Sequence, residues 1–303
     1  MKLLNRSPPP HPYDAHLTYF TVIQANDFRR LVERSFAAAG HDVSVYGDHI
    51  EDRDGTTFGL WNIGMLCAGA PPDDWPDLID EHVRLVTTPP RRLGELTDDE
   101  LEAGLYLRLL ETASVADPDN LGYARTISPG LLEVLSVDLA DAVVTPTREE
   151  LAPHGSLAEL VARGRANLLA LLDDDEPGAQ IVGDGAKGRF ASVTSDSFFT
   201  ASLALVLPEA VRRFTGEDQG VRGTLVAVPG RHRLLLRPVD GPDAGDALRE
   251  MFLVARLDHR EAPGPLSPHV YWIRNGRWVP VTSLEGGKPR VVPGELRDAL
   301  KSL

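Results

Sequence analysis

Asn275-Gly276 sits between two apolar runs, His269–Ile273 and Arg277–Val281. A type I′ turn needs positive φ at both central residues, and Asn-Gly adopts it readily, so this segment is constrained to a tight β-hairpin. Two similar segments precede it. Pro229-Gly230 lies between Gly223–Val228 and Arg233–Arg237, and Gly183-Asp184-Gly185 lies between Gln180–Val182 and Phe190–Val193. Each hairpin is followed by helical periodicity, over Ser197–Phe214, Asp243–Leu257 and Glu295–Leu300. Pro208 predicts a kink or split in the first of these helices. The hairpins begin near residues 180, 223 and 269, and segments 42–86 and 131–172 fit the same order. A chain built this way is α+β, with mixed, mainly antiparallel sheets made of β-hairpin–helix units and helices on one face. The hairpins argue against a doubly wound parallel sheet.

The amino-terminal part divides differently. Residues 1–19, with Pro8-Pro9-Pro10 and Pro12, read as an extended lead-in. Residues 20–90 read as an α-β-β-α module. Its helix is capped at Asn26 or Asp27 and stops at Gly40, and a strand follows at Asp42–Tyr46. Asp54-Gly55 turns the chain into a second strand, about Thr56–Cys67, and Asp74–Val86 is an acidic amphipathic helix. Thr87–Asp99, with Pro89-Pro90, marks a boundary before a larger domain over 91–303, with a further subdivision near 175–180. Within that domain, strands are expected at Tyr106–Leu110, Leu131–Val137 and Ala142–Thr145, and Ser156 caps a helix over Leu157–Leu172.

Charge narrows the function classes. The formal net charge is −14, and residues 1–90 carry 7 cationic and 13 anionic side chains, residues 91–180 carry 7 and 18, and residues 181–303 carry 17 and 14. Such a balance repels phosphate backbones and anionic lipid surfaces, so neither a nucleic-acid nor a membrane partner is expected. The single cysteine, Cys67, follows an apolar stretch and reads as a core thiol. It excludes an internal disulfide framework and a thiolate metal cage. The start lacks the apolar run of a signal peptide, and no stretch reaches about 18 apolar residues, so a cytoplasmic location is expected.

Complete catalytic motifs are missing. In Gly183-Asp184-Gly185-Ala186-Lys187-Gly188-Arg189 the lysine precedes the last glycine and no Ser or Thr follows, so a flexible hairpin loop is preferred to a phosphate-binding loop. The nine histidines form neither His-x-x-x-His nor His-Glu-x-x-His, and Gly-x-Ser-x-Gly does not occur. The densest acid–base cluster is His49, Glu51 and Asp52, next to Asp48. His49 and Glu51 share one strand face, which makes them weak metal candidates, although a solvated hairpin tip looks the same. No metal and no cofactor is expected. Arg231, His232, Arg233 and Arg237, with Arg222, form a small basic group on the middle hairpin. They suit a carboxylate or phosphate ligand. The competing reading is tip solubility and pairing with the acidic segments 91–102 or 173–176. Tyr271 and Trp278 on the last hairpin are expected to pack on a neighbouring helix.

Several short words have a counterpart elsewhere. They are Ala166-Asn167-Leu168, Phe198, Ala201-Ser202-Leu203, Leu225-Val226-Ala227-Val228-Pro229, Leu234-Leu235-Leu236, Pro265-Leu266-Ser267-Pro268 and Val270-Tyr271 before Asn275-Gly276. In this order they resemble the YtpQ-like family of uncharacterised bacterial proteins. The resemblance implies a bacterial cytoplasmic protein and supplies no reaction or catalytic residue. The proline-rich start and the acidic linker depart from the family pattern. Taken together, the sequence points first to a non-enzymatic adaptor or regulatory module that docks a protein partner. An anionic small-ligand sensor on the basic hairpin comes second, and an enzyme with an unrecognised, metal-assisted hydrolytic site using His49, Glu51 and Asp52 comes third.

Overall fold

Thr21 starts the first helix, five residues before the expected cap. Its Oγ1 accepts from the Gln24 N–H while the Gln24 side chain accepts from the Thr21 N–H, so helix α1 runs Val22–Ala38. A capping box satisfies two donors at once and outcompetes the single donor that Asn26 or Asp27 would satisfy. In this computed structural model the described residues are 12–53, 55, 57–88, 93–115, 118–139, 142–173, 177–183, 188–219, 222–240, 243–262, 264–283, 290–291 and 296. Contacts divide the chain into two units, Met1–Pro90 and Arg91–Leu303. Among the described residues no helix is long and apolar enough to cross a membrane.

In the first unit, β1 (Val43–Val45), β2 (His49–Asp52) and β3 (Thr57–Gly59) form an antiparallel sheet in the order β1-β2-β3. The expected strand over Thr56–Cys67 is corrected: it ends at Gly59, and Trp61–Ala68 is helix α2. The apolar run there lacks strand alternation, and Ile63 and Cys67 are buried at helical spacing. Helix α3 (Trp75–Thr87) completes a core that holds Phe20, Phe28, Phe36, Cys67 and Trp75. Residues 12–20 fold back onto α1. Arg29 donates to both carboxylate oxygens of Asp14 at 2.8 and 3.0 Å and to the Gly47 carbonyl at 2.6 Å. Residues 1–11 of the expected lead-in lie outside the described residues.

The second unit holds two larger sheets. In the smaller, β4 (Leu105–Glu111) pairs with β6 (Leu131–Asp138), which also pairs with β5 (Arg125–Ser128) and β7 (Val143–Val144). β5 escapes the sequence reading because only Ser128 of Arg125-Thr126-Ile127-Ser128 is buried. Helices α4 (Asp98–Gly104), α5 (Arg148–Leu151) and α6 (Leu157–Ala170) each begin in a capping box, set by Thr97 with Glu100, Thr147 with Glu150 and Ser156 with Glu159. α6 lies against β4, and Asn167 donates to the carbonyls of Glu102 and Leu105 at 2.7 Å, tying α6 to the end of α4.

The six-stranded antiparallel sheet collects all three hairpins. Its strands are β8 (Gly178–Val182), β9 (Phe190–Thr194), β10 (Thr224–Gly230), β11 (Arg233–Pro238), β12 (Val270–Arg274) and β13 (Arg277–Pro280), in the order β13-β12-β10-β11-β9-β8. Asn275 at φ 51° and Gly276 at φ 72° make the expected turn. Pro208 splits the helix as expected: a 3-10 segment, Ala201–Val206, precedes α7 (Leu207–Thr215). Helix α8 (Ala244–Glu261) follows β11. A further strand pair, β14 (Thr282–Ser283) with β15 (Arg290–Val291), follows β13. Of the expected last helix, only the buried Leu296 is described.

The main helix on the smaller sheet lies on one face. The larger sheet is covered on both. Val226, Val228, Leu234, Leu236, Tyr271 and Ile273 share a core with α7, the 3-10 segment and the smaller sheet. Leu225, Ala227, Leu235, Val270 and Trp272 join α8 on the opposite face. Strands buried on both faces read as continuous apolar runs, as Leu225–Val228 and Leu234–Leu236 do.

Gly164 marks the closest approach of α6 to β4. A Cβ there would meet the Leu107 backbone nitrogen at 2.8 Å and the Tyr106 carbonyl carbon at 3.0 Å. Gly164→Ala gains about 1 kcal/mol of helix propensity but forces rigid backbone apart, at about 1–3 kcal/mol. The expected outcome is a lower urea midpoint. An unchanged or higher midpoint would show that α6 does not seat on β4 in this way.

Candidate anion-binding site

The structure separates the four basic residues of the middle hairpin. Arg233 donates to Ser192 Oγ at 3.0 and 3.2 Å and pairs with Asp258 at 2.7 Å. Arg237 pairs with Asp240 at 2.8 Å and Asp243 at 3.2 Å. These described partners come from α8 and the segment leading into it, whereas residues 91–92 and 174–176 of the two acidic segments lie outside the described residues. Arg233 and Arg237 are therefore neutralised by their own neighbourhood.

Arg231 and His232 form the β10–β11 turn and are built differently. The Arg231 guanidinium stacks on the Phe198 ring, with Cζ 3.9 Å from the centroid, and its Nε donates to His232 Nε2 at 2.9 Å. His232 Nδ1 lies 3.1 Å from the Ser197 carbonyl. A carbonyl only accepts, so Nδ1 carries the proton and Nε2 is free to accept from Arg231. This fixes a neutral imidazole. Burial and the adjacent Arg231 charge both hold the His232 pKa below its ordinary value. Gly264 makes room for this arrangement, since a Cβ there would come within 2.8 Å of Arg231 Cδ.

The loop over Ser195–Thr200 braces the turn. Thr200 Oγ1 donates to the Ser197 carbonyl at 2.9 Å, and Ser195 Oγ lies 2.5 Å from Thr200 Oγ1. The Ser197 hydroxyl accepts from the Phe199 N–H at 3.1 Å. The Ala201 N–H donates to the Arg231 carbonyl at 3.0 Å. One residue further on, Ser202 Oγ accepts from the Leu109 N–H of β4 at 3.0 Å. The 3-10 segment thus ties the turn to β4.

That tie brings in Arg108. Tyr106 and Arg108 point to the same side of β4, because side chains alternate along a strand. Tyr106 stacks on Phe199, with centroids 4.3 Å apart, next to the Phe198 ring that carries Arg231. Arg108 Nε is fully buried and has no hydrogen-bond partner among the described residues. Among the described residues, no carboxylate lies within 4.0 Å of either guanidinium. Asp138 interacts with Arg108 from beyond that distance, and burial raises the Asp138 pKa. Burial, and then the charge of Arg108, push the Arg231 pKa down to about 10. Arg108 feels the Asp138 charge from beyond hydrogen-bond distance, while Arg231 has no described carboxylate within 4.0 Å.

Sequence reasoning missed Arg108 and Phe198 as parts of this site. The available signal was a lone charge in the otherwise apolar strand Tyr106-Leu107-Arg108-Leu109-Leu110.

The other candidate cluster does not converge. His49 Nδ1 pairs with Asp48 at 2.8 Å, and Asp52 pairs with His41 at 2.6 Å. Glu51 is exposed. Asp52 lies on the opposite strand face from His49 and Glu51. Among the described residues, no group of three or more metal-ligating side chains is found. In the loop over Gly183–Arg189, Asp184 to Lys187 lie outside the described residues. Cys67 is buried, and burial pushes its thiol up to about 11. Trp272 packs with α8, whereas Tyr271 and Trp278 join the core on the other face.

Comparison with family models, curated proteins and solved structures finds no match. The YtpQ-like resemblance therefore rests on the short words alone.

The state of His232 has a pH signature. Its folded pKa lies below the unfolded value near 6.5, so the unfolded chain takes up the proton first. The stability it contributes is complete above about pH 6.5 and lost as pH falls through its folded pKa. His232→Asn is expected to flatten the fall in urea midpoint between pH 7.5 and 5.5. His259 and His269, also lowered by burial, leave a residual slope. Identical slopes for the two proteins would contradict the neutral, buried assignment.

Proposed function

We propose that this protein is a non-catalytic module that binds an anionic group between Arg108 and Arg231. The observation that carries the reading is that Arg108 Nε is buried without a hydrogen-bond partner among the described residues, and that no described carboxylate comes within 4.0 Å of Arg108 or of the Arg231 guanidinium on Phe198. Buried charges are normally paired, so the pair is suited to a ligand that brings the missing charge. The surrounding hydroxyls of Ser195, Ser197 and Thr200 brace their own loop, and both His232 nitrogens are engaged. That supports binding over catalysis, because the described hydroxyls and imidazole beside Arg231 are already engaged in hydrogen bonds. Anion sensing therefore ranks above the protein-docking role, for which no described surface specifies a partner.

An anion that binds only the folded protein stabilises it, by about 2.7 kcal/mol at one hundred times its Kd. Arg108→Met is expected to change the stability of the ligand-free protein by no more than about 1 kcal/mol, since removing a buried cation is offset by leaving Asp138 without the Arg108 charge. The same change is expected to abolish stabilisation by anions. Thermal unfolding with and without phosphate reads both effects. A destabilised variant that still responds to phosphate would overturn the assignment.

A further inference from the structure

We infer that β8, the open edge of the six-stranded sheet, pairs antiparallel with β8 of a second copy of this chain. β8 is the end strand of the sheet, and among the described residues it pairs with β9 alone. Gly178, Ala179, Gln180 and Ile181 are exposed, and Ile181 leaves 51% of its surface in water. The outward backbone N–H and C=O groups of such a strand are a template for a further strand. The other edges are guarded. β13 carries Arg277 and Pro280 and lies against β5, which carries Arg125. β4 carries Arg108 and Glu111, and Ser202 Oγ takes its Leu109 N–H. Among the described edge strands longer than three residues, β8 alone has neither a charge nor a proline. Charges and prolines are the usual means by which an edge rejects another strand.

The strand's own residues select the partner. Residues opposite one another in a sheet share a face. The two-fold register that pairs the whole strand sets Gly178 opposite Val182, Ala179 opposite Ile181, and Gln180 opposite Gln180 of the second copy. Small residues then meet large ones. The Gln180 amide, a donor and an acceptor at once, meets its own copy. No like charges are brought opposite one another, although the chain carries a net −14. Ala179 and Ile181 stand opposite Val193 and Ala191, on the α7 side of the sheet, and Val182 packs with the α8 core. A two-fold axis perpendicular to the sheet keeps α7 on one side and α8 on the other, so the two sheets continue as one. Such short strands bury less than the about 1,200–2,000 Å² of a standard interface, so the dimer is weak, with a dissociation constant on the order of 100 µM. The occupant is a second copy, so this edge does not supply the foreign partner of a docking role.

Sedimentation velocity of the full chain, from about 5 to 500 µM, reads the association. A monomer–dimer equilibrium is expected, and Ile181→Lys is expected to weaken it at least tenfold by setting two lysines across the two-fold axis. Ile181 is exposed, so this variant should keep the parent's urea midpoint. Gln180→Cys tests the register. Opposite Cα atoms in an antiparallel pair lie about 4.5–5.5 Å apart, within disulfide range, and the native Cys67 is buried. Oxidation with diamide is expected to give a covalent dimer of Gln180→Cys and none of Arg277→Cys on β13. A chain that stays monomeric at every concentration overturns the pairing and leaves the edge to a strand of another protein. A dimer that Gln180→Cys does not cross-link lies elsewhere on the surface and overturns it as well, whether or not Ile181→Lys folds.

Discussion

The burial of β10 and β11 on both faces is the constraint on which the second unit depends. Leu225–Val228 and Leu234–Leu236 are buried residue after residue, so neither face of their hairpin can meet water. α8 covers one face, and α7, the 3-10 segment and the smaller sheet cover the other. Removing apolar surface from water contributes about 25 cal/mol per Å², so burial on both faces makes each apolar residue of this hairpin contribute to one of the two core layers. The consequence for the site is direct. A hairpin clamped on both sides has little freedom at its tip, and Arg231 and His232 are that tip.

The hairpins were legible because their signals are local. Asn275-Gly276 encodes its own φ values, and Ser156 with Glu159 encodes a capping box. Failures came where two local signals competed. Asn26 and Asp27 look like caps, but Thr21 and Gln24 satisfy two donors. The apolar run after Leu60 resembles a strand in composition, and only its tertiary burial at helical spacing makes it α2. Coverage of the larger sheet on its second face was not legible either, because the smaller sheet that supplies part of that layer is distant in sequence.

The site was half legible for the same reason. Arg231, His232, Arg233 and Arg237 stand together in sequence, yet Arg233 and Arg237 are paired with carboxylates, His232 is neutral, and Arg231 has no described carboxylate within 4.0 Å. Which arginine is left without a carboxylate depends on Asp258, Asp240 and Asp243, placed by α8 and its approach. Arg108 lies more than a hundred residues from Arg231 in sequence, and the Leu109–Ser202 and Ala201–Arg231 hydrogen bonds link β4 to the turn through the 3-10 segment. No spacing rule on a single chain encodes that link.

The central claim is that Arg108 and Arg231 together receive an anion while Arg233 and Arg237 remain with their own carboxylates. Arginine Nε–H resonances in a ¹⁵N-resolved spectrum, assigned by substitution and titrated with phosphate, report on each side chain separately. The account expects Arg108 and Arg231 to shift together along one saturable curve, with Arg233 and Arg237 unmoved. Four equal shifts, or a response confined to Arg233 and Arg237, would contradict it.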